Sequence, residues 1–144
     1  MQRHAWHLEL TDGHHIAIAK NQVIEYLSNQ SGFPIPDCNK LCNQVIDWRQ
    51  KILPILGCTN NNNTLHQHIL IIHFSSNTDQ KETLIALSLK SPPSLIQVDD
   101  SNACKPSDDL IQYWNSAILS CFEEKGVFIP IINFYQLEHS RPLD

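Results

Sequence analysis

Apolar residues in this chain come in short bursts. Glycine, proline or a polar cluster ends nearly every burst before it reaches the length of an ordinary helix, and that rhythm restricts the fold more than any other feature. Trp6, Leu8 and Leu10 alternate with His7, Glu9 and Thr11 up to Asp12-Gly13, the period-2 pattern of a half-buried strand entering a hairpin. The return run over 14–19 places Ile16 and Ile18 on one face. Further short runs cover 23–27, 45–48, 51–56, 68–74, 83–90, 95–98 and 127–134, while 29–36, with a glycine and two prolines, is expected to be loop. Residues 38–44 can form one helical turn. The four consecutive asparagines within 59–64 mark an exposed turn. Many short strands at near-regular spacing indicate an all-β barrel or sandwich.

One segment competes with that reading. From Leu110, apolar residues at Tyr113, Trp114, Ala117, Ile118, Cys121 and Phe122 keep helical spacing, with Ser107-Asp108-Asp109 as a start signal and Gly126 as a stop. Size and charge narrow the rest. The 144 residues make one ordinary domain, and 42% hydrophobic content is enough to fill a core. A formal charge of −5 with scattered lysines and arginines excludes the basic face that nucleic acid or an anionic membrane requires. No apolar run approaches a membrane span, and the first residues lack a signal-peptide core, so a cytoplasmic location is expected. Five irregularly spaced cysteines fit free thiols in a reducing compartment.

The stretch Gln44-Val45-Ile46-Asp47-Trp48-Arg49-Gln50-Lys51-Ile52-Leu53-Pro54-Ile55-Leu56 sets one arginine between two strand-like apolar runs, with a proline inside the second. It resembles the signature of CheW-like domains, the coupling modules of bacterial chemosensory arrays, in which glycines flank the arginine motif and an aspartate-leucine pair follows. Other elements come in that family's order. They are Asp12-Gly13, Ile16-Ala17-Ile18, Val23-Ile24-Glu25, Ile35-Pro36, Ala86-Leu87-Ser88-Leu89 and Gly126-Val127-Phe128-Ile129-Pro130-Ile131-Ile132. The resemblance covers nearly the whole chain and rests on element order more than on any one motif. Gln44 and Gln50 depart from the flanking glycines, and Gly57-Cys58 replaces the aspartate-leucine pair. Glutamine accepts a positive φ less cheaply than glycine does.

The resemblance implies an all-β fold of two packed SH3-like five-stranded β-barrel lobes with short helical turns. It makes residues 1–144 a single CheW-like domain with a lobe boundary near 59–73, and it turns 117–122 into strand, leaving a short helix near 110–114. The function it implies is a non-catalytic adaptor, without cofactor, metal or direct membrane insertion. Such an adaptor couples the cytoplasmic tip of a methyl-accepting receptor to the regulatory domain of a chemosensory histidine kinase, in chemotaxis or in type IV pilus-linked twitching motility. The receptor- or kinase-binding residues it implies are Val23, Glu25, Val45, Ile46 and Arg49. Each has a plainer explanation: a surface ion pair for Glu25 and Arg49, core packing for Val23, Val45 and Ile46.

Eight histidines raise the question of a metal, chiefly His66 and His68, which share a face of a regular strand. Surface histidines account for them more simply. Catalytic signatures are absent from the sequence: no phosphate-binding glycine loop, no Gly-x-Ser-x-Gly elbow, no His-Glu-x-x-His pair. The alternative to an adaptor is a small β-barrel ligand-binding or hydrolytic protein unrelated to chemotaxis, which a convergent polar pocket would support.

Overall fold

A computed structural model describes residues 2–35, 44–58, 64–75, 82–114 and 117–135. Among these, the chain forms β1 (Gln2–Glu9), β2 (His15–Ala19), β3 (Val23–Ser31), β4 (Phe33–Pro34), β5 (Gln44–Trp48), β6 (Lys51–Leu56), β7 (Leu65–Ser75), β8 (Glu82–Leu89), β9 (Ser94–Asp99), α1 (Asp108–Trp114), β10 (Ile118–Glu124) and β11 (Val127–Ile132). The expected all-β architecture is present as two curled sheets with one short helix. The apolar series from Leu110 is shared between two elements. Its first part belongs to α1, which ends on the fully buried Trp114, and its second to β10, where Cys121 and Phe122 are buried. The expected helical turn over 38–44 falls outside the described residues except for Gln44, and residues 59–63 of the asparagine turn fall outside them too.

Two compact units divide the chain. One takes in Met1–Leu8, His15–Lys20 and Pro93–Pro142, the other Glu9–His14 and Asn21–Pro92. The expected boundary near 59–73 is therefore not where they part, because β7 lies inside the second unit, paired to β3 on one side and β8 on the other. In the first unit the sheet order is β10-β11-β2-β1-β9, and Ala5, Ala17, Phe122 and Ile129 form a buried cluster on it. No helix among the described residues is long and apolar enough to cross a membrane.

The second unit carries the arginine segment. Its sheet runs β3-β7-β8-β6-β5-β4, antiparallel except where β6 meets β8. Ile46, Trp48, Leu53, Ile55, Ile69, Ile71 and Ala86 supply the core, drawn from β5, β6, β7 and β8. Of the region 29–36, expected to be loop, the described residues 29–35 are largely strand. Ser28, Gln30 and Ser31 pair with His68, His66 and Leu65, and β4 follows after Gly32. Polar residues suit β3 because it is an edge strand, whose outer side faces water.

Among the described residues of this unit, three polar side chains are buried: Gln44, His66 and Ser88. His66, expected at the surface, is 6% exposed. Its Nε2–H donates to Gln44 Oε1 at 2.7 Å, and its Nδ1 accepts from Ser88 Oγ at 2.9 Å, whose oxygen in turn meets Thr11 Oγ1 at 2.6 Å. Because an amide oxygen can only accept, Nε2 carries the proton, and in the neutral ring Nδ1 is then the acceptor. Burial pushes its pKa below the usual histidine value. At neutral pH the folded and unfolded chains both hold His66 uncharged. Below about 6.5 the unfolded chain takes up a proton more readily than the folded chain, so stability falls with acidity, by at most about 1.4 kcal/mol per pH unit from this group. Chemical denaturation at pH 7.0 and 5.5 should show that loss, and His66→Gln should shrink it. An equal acid loss in the variant would show that His66 is not the group responsible.

Candidate functional site

The hairpin joining β5 to β6 is as tight as a hairpin can be. Trp48 pairs with Lys51, so Arg49 and Gln50 alone make the turn, at φ of 50° and 66°. Two consecutive positive φ values define the type I′ connection, which matches the right-handed twist of the flanking strands. The segment that looked like an arginine between two strands is thus an arginine at a hairpin tip. Its side chain is 64% exposed.

Two contacts hold Arg49 there. Its Nη2 donates to Glu25 Oε1 at 3.3 Å, and its guanidinium lies 4.5 Å from the centre of the Trp48 ring. Trp48, only 7% exposed, donates its indole N–H to the same Glu25 oxygen at 2.9 Å. Glu25 therefore does two jobs. It satisfies the one polar group of a core tryptophan and anchors the exposed arginine. Cation–π stacking and the ion pair each contribute no more than about 1 kcal/mol at such exposure, so their effect is on the direction in which Arg49 points.

A β-bulge places Glu25 correctly for this. Val23 lies opposite Ile72 and Glu25 opposite Ile71, so Ile24 is an extra residue on β3. In a regular strand Val23 and Glu25 would share a face. With the bulge, Glu25 stands on the side of Ile71 and the core cluster, and Val23 turns to the opposite side.

The sequence-derived residues thus separate. Glu25 and Arg49 are brought together. Ile46 is 1% exposed within the core cluster, and this corrects its assignment to a contact surface: its alternation with Val45 and Asp47 points it inward. Val45 and Val23 are half-buried. Val45 faces outward, in a row with Phe33 and Pro54 across β4, β5 and β6, and Ile52 lies next to Pro54 on the same face, opposite Asp47. Phe33 and Ile52 are 54% and 64% exposed. Sequence reasoning passed over Trp48, Phe33 and Ile52. A tryptophan preceding a turn arginine is a usable signal, whereas the apolar row depends on a register that appears only in the folded sheet.

The two histidines weighed as chelators are not brought together. His66 is committed to Gln44 and Ser88, and His68 stacks on Tyr26. Among the described residues, no three His, Cys, Asp or Glu side chains gather as a metal site.

The backbone of this assembly has a solved counterpart. The crystal structure of the scaffolding protein CheW from Thermoanaerobacter tengcongensis aligns with a TM-score of 0.64, covering 100% of this chain and 97% of that one at 15% identity. The fold is CheW-like. No family model and no curated protein matches the sequence. At 15% identity the two chains share the fold while most of their side chains differ.

Gln50 carries a backbone cost of its own at φ 66°. A residue with a Cβ in the left-handed region costs about 1–2 kcal/mol, part of which glycine returns as extra freedom in the unfolded chain. Gln50→Gly should stabilise the protein by about 1 kcal/mol, raising Tm by roughly 4 °C. A Tm lowered by the glycine would mean that the Gln50 side chain makes a contact that outweighs the relief of strain.

Proposed function

We propose that this protein is a non-catalytic adaptor that couples a methyl-accepting chemoreceptor to a chemosensory histidine kinase. The observation that carries the reading is the Glu25–Trp48–Arg49 arrangement at the hairpin tip of a CheW-like fold. An arginine already stacked, ion-paired and fixed by its backbone loses little conformational freedom when a partner binds. Its guanidinium still presents donors to a carboxylate on a receptor helix. The outward row of Phe33, Val45, Pro54 and Ile52 adds an apolar surface beside it, and Val23 supplies a further half-buried contact. An apolar patch framed by charge is suited to gripping the tip of a helical hairpin.

Coupling in such a module means differential contact. The adaptor transmits between receptor and kinase only as much free energy as its contacts differ between signalling states. The pathway served is chemotaxis or pilus-linked twitching motility, in the cytoplasm. The test is reconstitution: the purified protein is titrated with the cytoplasmic fragment of a receptor from the same cell, then with the regulatory domain of the kinase. A ternary complex is expected. Binding of neither partner overturns the adaptor reading.

A further inference from the structure

We infer that Cys104 and Cys121 form a reversible dithiol–disulfide pair, a modification site on the five-stranded sheet. Ala103 and Phe122 make an antiparallel bridge, which places Cys104 and Cys121 directly opposite one another as the next pair along. The Cys104 N–H donates to the Cys121 carbonyl at 3.0 Å, and the two sulfurs lie 3.5 Å apart. Residues directly opposite in an antiparallel pair have Cα atoms about 4.5–5.5 Å apart, inside the roughly 4.4–6.8 Å span that disulfides bridge. Closing the sulfurs to about 2.05 Å therefore needs side-chain rotation and no new backbone arrangement.

The two thiols differ in access. Cys104 is half-buried, and Cys121 is 2% exposed in the wall of a cleft of about 370 Å³ that His4, Asp99, Asp100 and Ala103 also line. Burial, with the Cys104 thiol beside it, pushes the Cys121 pKa up to about 12. The thiolate is the nucleophile, so Cys104 reacts first and Cys121 resolves. The oxidant is a low-molecular-weight disulfide such as glutathione disulfide. Cys104 thiolate attacks one of its sulfurs, the reagent's S–S bond breaks, and one glutathione leaves as thiolate. Cys121 then gives up its proton, its sulfur attacks Cys104 Sγ, and the second glutathione leaves as a thiol. Two electrons pass from the cysteine pair to the reagent, which ends as two thiols. The bond ties off the segment between residues 104 and 121, which holds α1 and the exposed Ile111 and Leu119.

The experiment uses the full chain with Cys38→Ser, Cys42→Ser and Cys58→Ser, incubated across a series of glutathione redox buffers. Intact mass should fall by two hydrogens, peptide mapping should find residues 104 and 121 cross-linked, and the melting temperature should rise over the reduced form by several degrees. Cys104→Ser in the same background should show neither the cross-link nor the rise. A glutathione adduct persisting on Cys104, or both thiols unmodified at the most oxidising ratio, overturns the inference. If the triple variant does not fold, the mapping is made on the native chain, where any pairing that exceeds the 104–121 bond overturns it equally.

Discussion

Alanine at position 32 is expected to destabilise the protein by about 3 kcal/mol, lowering Tm by roughly 10 °C. Gly32 sits between β3 and β4, where its N–H donates to the Thr64 carbonyl at 2.7 Å. A Cβ there would collide with Gln44 Oε1 and stand 3.0 Å from His66 Nε2 and 3.1 Å from Ile55 Cδ1. The tip of an exposed glutamine would swing aside at little cost. This one is 3% exposed and is the acceptor for His66, so moving it breaks a buried bond and leaves polar groups unsatisfied at about 1–3 kcal/mol, on top of the overpacking. The decisive measurement is a double-mutant cycle by denaturant unfolding with Gln44→Gly, which removes the obstructing atom. Gly32→Ala should cost far less in that background. An equal cost in both backgrounds would mean that Ile55 or the backbone, and not the Gln44–His66 bond, opposes the methyl group.

Arg49→Glu is expected to weaken association with the receptor fragment by about 30-fold or more, corresponding to about 2 kcal/mol, while the melt moves by only a few degrees. The arginine is 64% exposed, and its pair with Glu25 belongs to the class worth about 0–1 kcal/mol to folding. Reversal also sets two carboxylates side by side at the tip, which swings residue 49 away from the direction Trp48 and Glu25 impose. Titration calorimetry beside a thermal melt separates the effects. Unchanged binding with a collapsed melt would make Arg49 structural and remove the main support for the adaptor proposal.

Much of the strand order could be read from the sequence because period-2 alternation survives in β1 and β5 and turn residues punctuate the chain. The choice between helix and strand over 110–122 could not be made from spacing alone, since α1 and β10 adjoin and their buried residues happen to continue one helical series. Polar composition disguised the second half of β3, where Ser28 to Ser31 belong to an edge strand. His66 looked like a surface residue because its burial depends on two partners distant in sequence, at positions 44 and 88. At the candidate site, Glu25 and Arg49 were legible as a pair of opposite charges. The bulge that orients Glu25 was not, because a one-residue insertion leaves no mark in a local hydropathy pattern.

The interleaving of the two units sets an order on the growing chain. Every strand of the six-stranded sheet has been synthesised by Leu89, so that sheet can close while β9, α1, β10 and β11 are still being made. Among the described strands, the hairpin of β1 and β2 is made before the others and waits longest, for its outer partners are β9 and β11. Until those arrive, it offers two unpaired edges to any neighbouring nascent chain. Premature termination after β8 would therefore release a polypeptide with one completed sheet and one adhesive hairpin, the kind of fragment that quality control must remove.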